Sequence, residues 1–183
     1  MSDRPSTLRT AHLTLRPFRA DDAPAVERMA GDRDIASTTC SIPHPYPAGA
    51  ARVWIDTHAQ ALEEGRSATF AIALTATDEL VGAIGFEVNQ KNDWAELGYW
   101  IGKPYWGRGY ATEALRALIP WAFEHFHLHR LQACHFTRNP ASGRVMEKAG
   151  MTLEGVLRQR VKKWGRFEDI AVYSILHGEL RGS

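Results

Sequence analysis

The sequence predicts a mixed α/β fold, and three observations carry the prediction. Strand-like runs at residues 68–75, 80–88 and 93–102 follow one another with only short turns between them. Helical patterns lie before and after this block, the longest over 111–126. Consecutive strands between helical blocks argue for a mixed sheet. The chain has 183 residues and no repeat, low-complexity tract or dividing linker, enough to bury a real core as one unit. Residues 1–183 read as a single domain with the order β-α-α-β-β-β-α-β-α-β-β.

Each element has its own signal. "LTLRPF" (13–18) alternates and reads as a first strand. In "ADDAPAVERMA" (20–30), Asp22 is placed as N-cap and Pro24 in the first turn, so a short helix follows. "IPHPYPAG" carries Pro43, Pro45 and Pro47 and reads as an extended loop. Ala51, Trp54, Ile55, His58 and Leu62 fall at helical spacing, with Gly65 as the stop. "ATFAIALT" and "LVGAIGFEV" are strands joined by a turn at Asp78 and Glu79. "DWAELGYWIG" looks apolar on both faces, as a central strand would. Ala111, Ala114, Leu115, Leu118, Ile119, Ala122, Phe123 and Phe126 recur at threes and fours, the clearest helical signal. Pro120 lies inside that pattern and removes the bond to the Arg116 carbonyl, so a kink is expected. "RLQACHFTRN" is a strand, and "NPASGRVMEKAG" a short helix with Asn139 as cap and Gly150 past its end. "TLEGVLRQRVKK" and "FEDIAVYSIL" close the fold around a turn at Trp164 and Gly165.

Composition narrows the function classes. Basic and acidic residues number 22 and 21, a balance unlike the basic excess of a general nucleic-acid binder. The two cysteines, Cys40 and Cys134, do not make a disulfide framework in a chain this long, and point to a reducing compartment. "MSDRPSTLRTAH" lacks the apolar core of a signal peptide, and no apolar run reaches membrane-spanning length. The expectation is a cytoplasmic protein with no membrane or direct nucleic-acid partner.

"PYWGRGYATEA" (104–114) is the stretch richest in chemistry. Glycines let backbone approach a ligand, and the first turn of a helix offers unpaired N–H groups with partial positive charge. Gly107, Arg108, Gly109, Tyr110, Ala111 and Thr112 can supply such groups to an anion, or can simply form a tight turn into the helix. The dinucleotide pattern is excluded, because Thr112 stands where its third glycine or alanine belongs. The phosphate-loop pattern is excluded too, because Gly102-Lys103 is followed by Pro104.

"ELGYWIGKPYWGRGYATEAL" followed by "NPASGRVMEKAGMTLEGVLR" resembles the GNAT-type acetyltransferases, more narrowly the RimJ/RimL-like branch of ribosomal-protein alanine N-acetyltransferases. The likeness runs from about Leu13 to Leu176. It implies a mostly antiparallel mixed sheet flanked by helices, acetyl-CoA as cosubstrate, and no metal. It also implies that backbone N–H groups of residues 107–112 bind the pyrophosphate of coenzyme A. The family pattern there is Gln/Arg-x-x-Gly-x-Gly/Ala; Gly109 and Ala111 fit it, but Trp106 stands at the Gln/Arg position. A backbone cradle survives that change, whereas a side-chain contact to phosphate does not.

Acetyl transfer to an amine needs a base for the ammonium proton, a polarised carbonyl, and help for the leaving thiolate. By alternation Glu96 shares a strand face with Trp94, Gly98 and Trp100. Apolar neighbours disfavour a bare carboxylate and suit it to proton uptake; the competing reading is a glutamate reaching solvent. The resemblance implies Glu96 as general base, acting directly or through water. It implies that the backbone of Tyr99, Trp100 and Ile101 bonds the pantetheine arm, with one N–H on the acetyl carbonyl. Asn139 and Ser142 can be explained as a helix cap and an early helical serine. The resemblance adds Asn139 as a pantetheine partner and Ser142 as proton donor to the leaving thiolate.

His125, His127 and His129 alternate, but no further ligand is marked, and a helix-to-strand junction explains them. Arg158, Arg160 and Lys162 read as a solvated strand face. The expected acceptor is a protein N-terminal α-amine, on a ribosomal or other protein. The alternatives are a small amine (a polyamine, amino acid or antibiotic) or a non-catalytic acyl-CoA-binding module. The expected state is monomer or homodimer.

Overall fold

Hydrophobic alternation and turn residues together dictate the sheet. The computed structural model describes residues 7–180. Eight strands form one sheet: β1 (Leu8–Arg9), β2 (Leu13–Arg16), β3 (Ser67–Leu74), β4 (Leu80–Asn89), β5 (Trp94–Ile101), β6 (Arg130–Phe136), β7 (Thr152–Lys163) and β8 (Arg166–Leu176). Their order is β1-β2-β3-β4-β5-β6-β8-β7. All neighbours are antiparallel except β5 and β6. A parallel pair needs a long crossover, and the helix α5 (Tyr110–Phe126) supplies it.

The helices cover the two faces unequally. On one face, Leu15, Ile84, Phe86 and Leu97 pack against Leu115, Leu118, Ile119 and Phe123 of α5 and Met146 of α6 (Pro140–Lys148). Each such side chain, fully buried, contributes about 1.5–3 kcal/mol. On the other face, α1 (Ala23–Ala30) and α3 (Ala50–Asp56) place Val26, Met29, Ala51 and Ile55 over Ala71 and Leu80, with Trp100 alongside. Beyond Trp100 that face is polar and open around Glu96, which is exposed.

Several expectations change. Two short elements carried no readable pattern: β1, with two residues, and α2 (Arg33–Thr38), whose cap is the Asp32 carboxylate accepting from the Asp34 N–H at 2.8 Å. The helix expected over 51–62 is two, α3 and α4 (His58–Glu63), meeting at Thr57, whose hydroxyl donates to the Trp54 carbonyl at 2.7 Å. Asp22 does precede α1, but its carboxylate does not cap the helix. It accepts from Arg16 Nη1 and Nη2 at 2.8 and 3.0 Å and from the Arg19 N–H at 2.7 Å. The α5 helix is continuous through Pro120, which sits on its exposed face. β5 is not apolar on both faces, since Glu96 and Gly98 are exposed.

Candidate active site

The site begins where two parallel strands part. β5 pairs with β6 from Trp94↔Arg130 to Leu97↔Ala133. Past that point β5 continues to Ile101 on β4, and β6 continues to Phe136 on β8. A V-shaped opening follows, with backbone from Gly98 to Ile101 along one edge. Period-2 alternation sends Glu96 to the open face and Leu97 and Tyr99 to the face covered by α5 and α6.

On the covered side, the Tyr99 hydroxyl lies 2.8 Å from Ser142 Oγ and donates to the Ser142 carbonyl at 3.1 Å. Burial pushes the Tyr99 phenol up to about 12, against an opposing effect of Ser142. It is a proton donor throughout the neutral range. Asn139 occupies the N-cap position of α6 without using its side chain as a cap. Its carbonyl accepts from the Ser142 N–H at 3.1 Å, and its side-chain amide is not engaged by the helix.

On the open side, Glu96 is not enclosed by apolar groups, contrary to the expectation for its strand face. Gln132 Nε2 donates to one carboxylate oxygen at 3.2 Å, and Cys134 Sγ donates to the other at 3.5 Å. Arg130 Nη2 donates to Gln132 Oε1 at 3.4 Å, which turns the Gln132 NH2 toward Glu96. Arg130 in turn holds Glu154 at 2.6 and 2.5 Å and, with Ser174, pulls that carboxyl down to about 2. The charged row Glu154–Arg130 thus orients the Gln132 amide that meets Glu96.

Both cysteines reach this place. The Cys40 thiol, in the segment after α2, lies close enough to the Cys134 thiol for each to shift the other's titration. That contact, aided by the Lys163 ammonium, lowers Cys40 to about 7; Cys40 and burial push Cys134 upward. The same segment is held at both ends. Arg138 Nη2 donates to the Ser37 carbonyl at 2.5 Å, and Lys163 Nζ to the Ile42 carbonyl at 3.1 Å.

At the top of the opening, residues 107–112 lead into α5. Gly107 and Gly109 have φ of 75° and 82°, and a Cβ at either would meet nothing within 4 Å. The first bond of the α5 ladder runs from the Glu113 N–H to the Gly109 carbonyl at 3.0 Å. The N–H groups of Tyr110, Ala111 and Thr112 precede it, and no side chain caps them. An open, positively polarised backbone concavity results, fit for an anion. Trp106 does not line that concavity with a polar group. Its Nε1 donates instead to the Ile101 carbonyl at 2.6 Å, pinning the loop to the end of β5. Arg108 is exposed and folds back, donating to the Pro104 carbonyl at 3.3 Å.

The residues singled out in the sequence therefore gather along one opening, with Glu96 on one face and Ser142 on the other. The phenol of Tyr99, and Gln132, Cys134 and Cys40, carry no local motif. Only strand pairing and the packing of α2 and α6 bring them in. A surface pocket of about 430 Å³ at the opposite end of the sheet, lined by Phe123, His127, His129 and His177, includes none of them.

A model of the acetyltransferase (GNAT) domain matches residues 12–152. The chain belongs to the GNAT acetyltransferase family. As a GNAT protein it is an acyltransferase, and its relatives agree. The uncharacterized N-acetyltransferase p20 of Bacillus licheniformis is 32% identical over 96% of this chain and 99% of its own length. The ribosomal-protein-serine acetyltransferase of Escherichia coli K12 is 34% identical over 53% of this chain and 55% of its own. Among solved structures, RimL, a ribosomal L7/L12 alpha-N-protein acetyltransferase in complex with coenzyme A, shares the fold with a TM-score of 0.84 at 20% identity. That match covers 93% of this chain and 97% of RimL.

Proposed function

We propose that this GNAT acetyltransferase moves an acetyl group from acetyl-CoA to a primary amine, the α-amine of a protein N-terminus. The observation that carries the reading is the opening between β5 and β6, with a carboxylate on one face and a hydroxyl pair on the other.

The cosubstrate supplies a thioester, and the residues of the chain divide the remaining work. Backbone N–H groups of residues 107–112 hold the pyrophosphate, and the partial positive charge of the α5 N-terminus favours it. Between Tyr99 and Ile101, including Trp100, β5 keeps its pairing to β4 and turns its other side, no longer paired to β6, toward the pantetheine arm, and Asn139 offers its amide. One of those N–H groups polarises the acetyl carbonyl. Glu96, reached from the open face, takes the proton from the acceptor ammonium directly or through water. Ser142 hands a proton to the departing sulfur and recovers one from Tyr99.

The acceptor reading is supported by the ribosomal-protein substrates named for the Escherichia coli relative and for RimL. An open, polar face around Glu96 suits an extended peptide.

A thiol-release assay over N-terminal peptides, polyamines, amino acids and aminoglycosides tests the acceptor. Peptide-dependent release of coenzyme A is expected, and release only with small amines moves the assignment to that class. Glu96→Gln is expected to lower kcat by about 10²–10⁴, the usual weight of a general base, while acetyl-CoA still raises Tm. Full turnover by that variant would remove Glu96 from the mechanism. No Tm rise with excess acetyl-CoA would refute the cosubstrate reading, because a ligand of the folded state must stabilise it.

A further inference from the structure

The acetyl-transfer reading leaves the two thiols beside Glu96 unused. They are the chain's only cysteines, separated by 94 positions and brought together by the fold. Cys134 sits on β6 with its S–H on the Glu96 carboxylate. Cys40 is exposed and lies between two tethers, Arg138 on the Ser37 carbonyl and Lys163 on the Ile42 carbonyl. An accessible thiol near a lysine ammonium, next to a second thiol, has the surroundings of a reactive cysteine with a resolving partner.

We propose that Cys40 and Cys134 are a thiol switch on the acceptor side of Glu96, closed to a disulfide by a low-molecular-weight disulfide, and that closure lowers acetyl transfer. In the first step the Cys40 thiolate attacks one sulfur of the small disulfide and expels one small thiol. In the second, Cys134 passes its proton to the Glu96 carboxylate and attacks the Cys40 sulfur, expelling the other half as a thiolate. The two expelled thiolates take up the protons that the cysteines gave up. Two electrons pass from the cysteines to the small disulfide, which leaves as two thiols. Cys40, exposed and beside the Lys163 ammonium, is the thiol that an outside disulfide reaches first.

Closure has two consequences. Glu96 loses the S–H that donates to it and keeps only Gln132. The segment from Thr39 to Ile42 is bonded to β6 across the approach to Glu96. The effect on turnover rests on Glu96 as the base; the cross-link does not.

The test uses the full chain treated with oxidised glutathione, then digested without reductant and mapped by mass spectrometry. A Cys40–Cys134 linked peptide is expected. Turnover is expected to fall several-fold and to return with dithiothreitol. Cys40→Ser is expected to keep its basal turnover and to be insensitive to oxidised glutathione. A glutathione adduct on either cysteine without the linked peptide overturns the proposal, as does a linked protein with undiminished turnover. A linked peptide in a protein whose Glu96→Gln form is fully active supports the dithiol site and discards the Glu96 reading, so the two failures are distinct.

Discussion

Tyr99 and Ser142 hold one hydroxyl proton each across 2.8 Å, and the two side chains are not equivalent. Ser142→Ala removes the hydroxyl nearest the proposed sulfur, and kcat is expected to fall about 10²-fold, the lower range for a general acid. Tyr99→Phe leaves Ser142 its own proton and is expected to cost less. Steady-state kinetics check both, with the KM for acetyl-CoA nearly unchanged. His58 offers a prediction about stability. Its ring packs against Trp54 at 4.4 Å and Phe18 at 5.4 Å, and neither ring nitrogen has a hydrogen-bond partner among the described residues. Burial lowers it from the ordinary 6.5 to about 4. The unfolded chain therefore binds a proton more readily than the folded one between those values. Stability is full above pH 6.5 and declines as pH falls toward about 4. The urea midpoint is expected to drop between pH 7 and pH 5, and His58→Phe to flatten that drop. Two carboxyls act in a lower window. Asp78 is held down mainly by Arg16, and Glu113, against the opposing effect of burial, by Thr10 and His12. Their contribution is lost only as pH falls through their depressed values. In the sequence His58 was legible as a helix-face residue. Its lack of partners was not, because that depends on which rings close over it.

At the scale of elements, the loop into α5 is the most exacting piece of backbone. Gly109 is left-handed at φ 82° and has open space where a Cβ would go. Gly109→Ala therefore carries only the backbone cost, about 1–2 kcal/mol. In a chain of this size that is a Tm loss of roughly 2–8 °C. A smaller Tm rise with acetyl-CoA is expected as well, since the N–H groups of the cradle shift with the strained residue. Differential scanning fluorimetry with and without the cosubstrate reads both. The glycine pattern was visible in the sequence because φ requirements are local. So was the α5 face, because burial on one side of a helix repeats every 3.6 residues. The division of 51–62 at Thr57 was not visible, because α3 and α4 keep apolar residues in phase across the break. Trp106 looked like a departure from the family's Gln/Arg-x-x-Gly-x-Gly/Ala pattern. Its bond to the Ile101 carbonyl makes it part of how β5 and the loop are held together.

Over the whole molecule, the two helical coverings differ in what fixes them. The α5 side rests on a large apolar core. The α1 side is tied to the sheet by a charge cluster in which Arg16, 5% exposed, is held by Asp22, 8% exposed, and by Asp78. Removing the Asp22 charge leaves the buried Arg16 with Asp78 alone, and its Nη1 and Nη2 groups lose their carboxylate. Asp22→Asn is expected to cost about 3–5 kcal/mol, measured by urea unfolding, and the pair Arg16→Met with Asp22→Leu to recover most of it. The sequence by itself determined the order of the main elements, the glycine loop that leads into α5 and the places of Glu96, Asn139 and Ser142 on their elements, because periodicity, caps and glycines act within a few residues. The tertiary structure alone decided that Glu96 and Ser142 stand on opposite faces of β5 where its pairing with β6 ends. It alone decided that Gln132 and Cys134 meet the carboxylate, and that Cys40 joins Cys134 across the fold. Strand pairing and the point where it stops bring together residues far apart in the chain, and no local pattern records which residues those are.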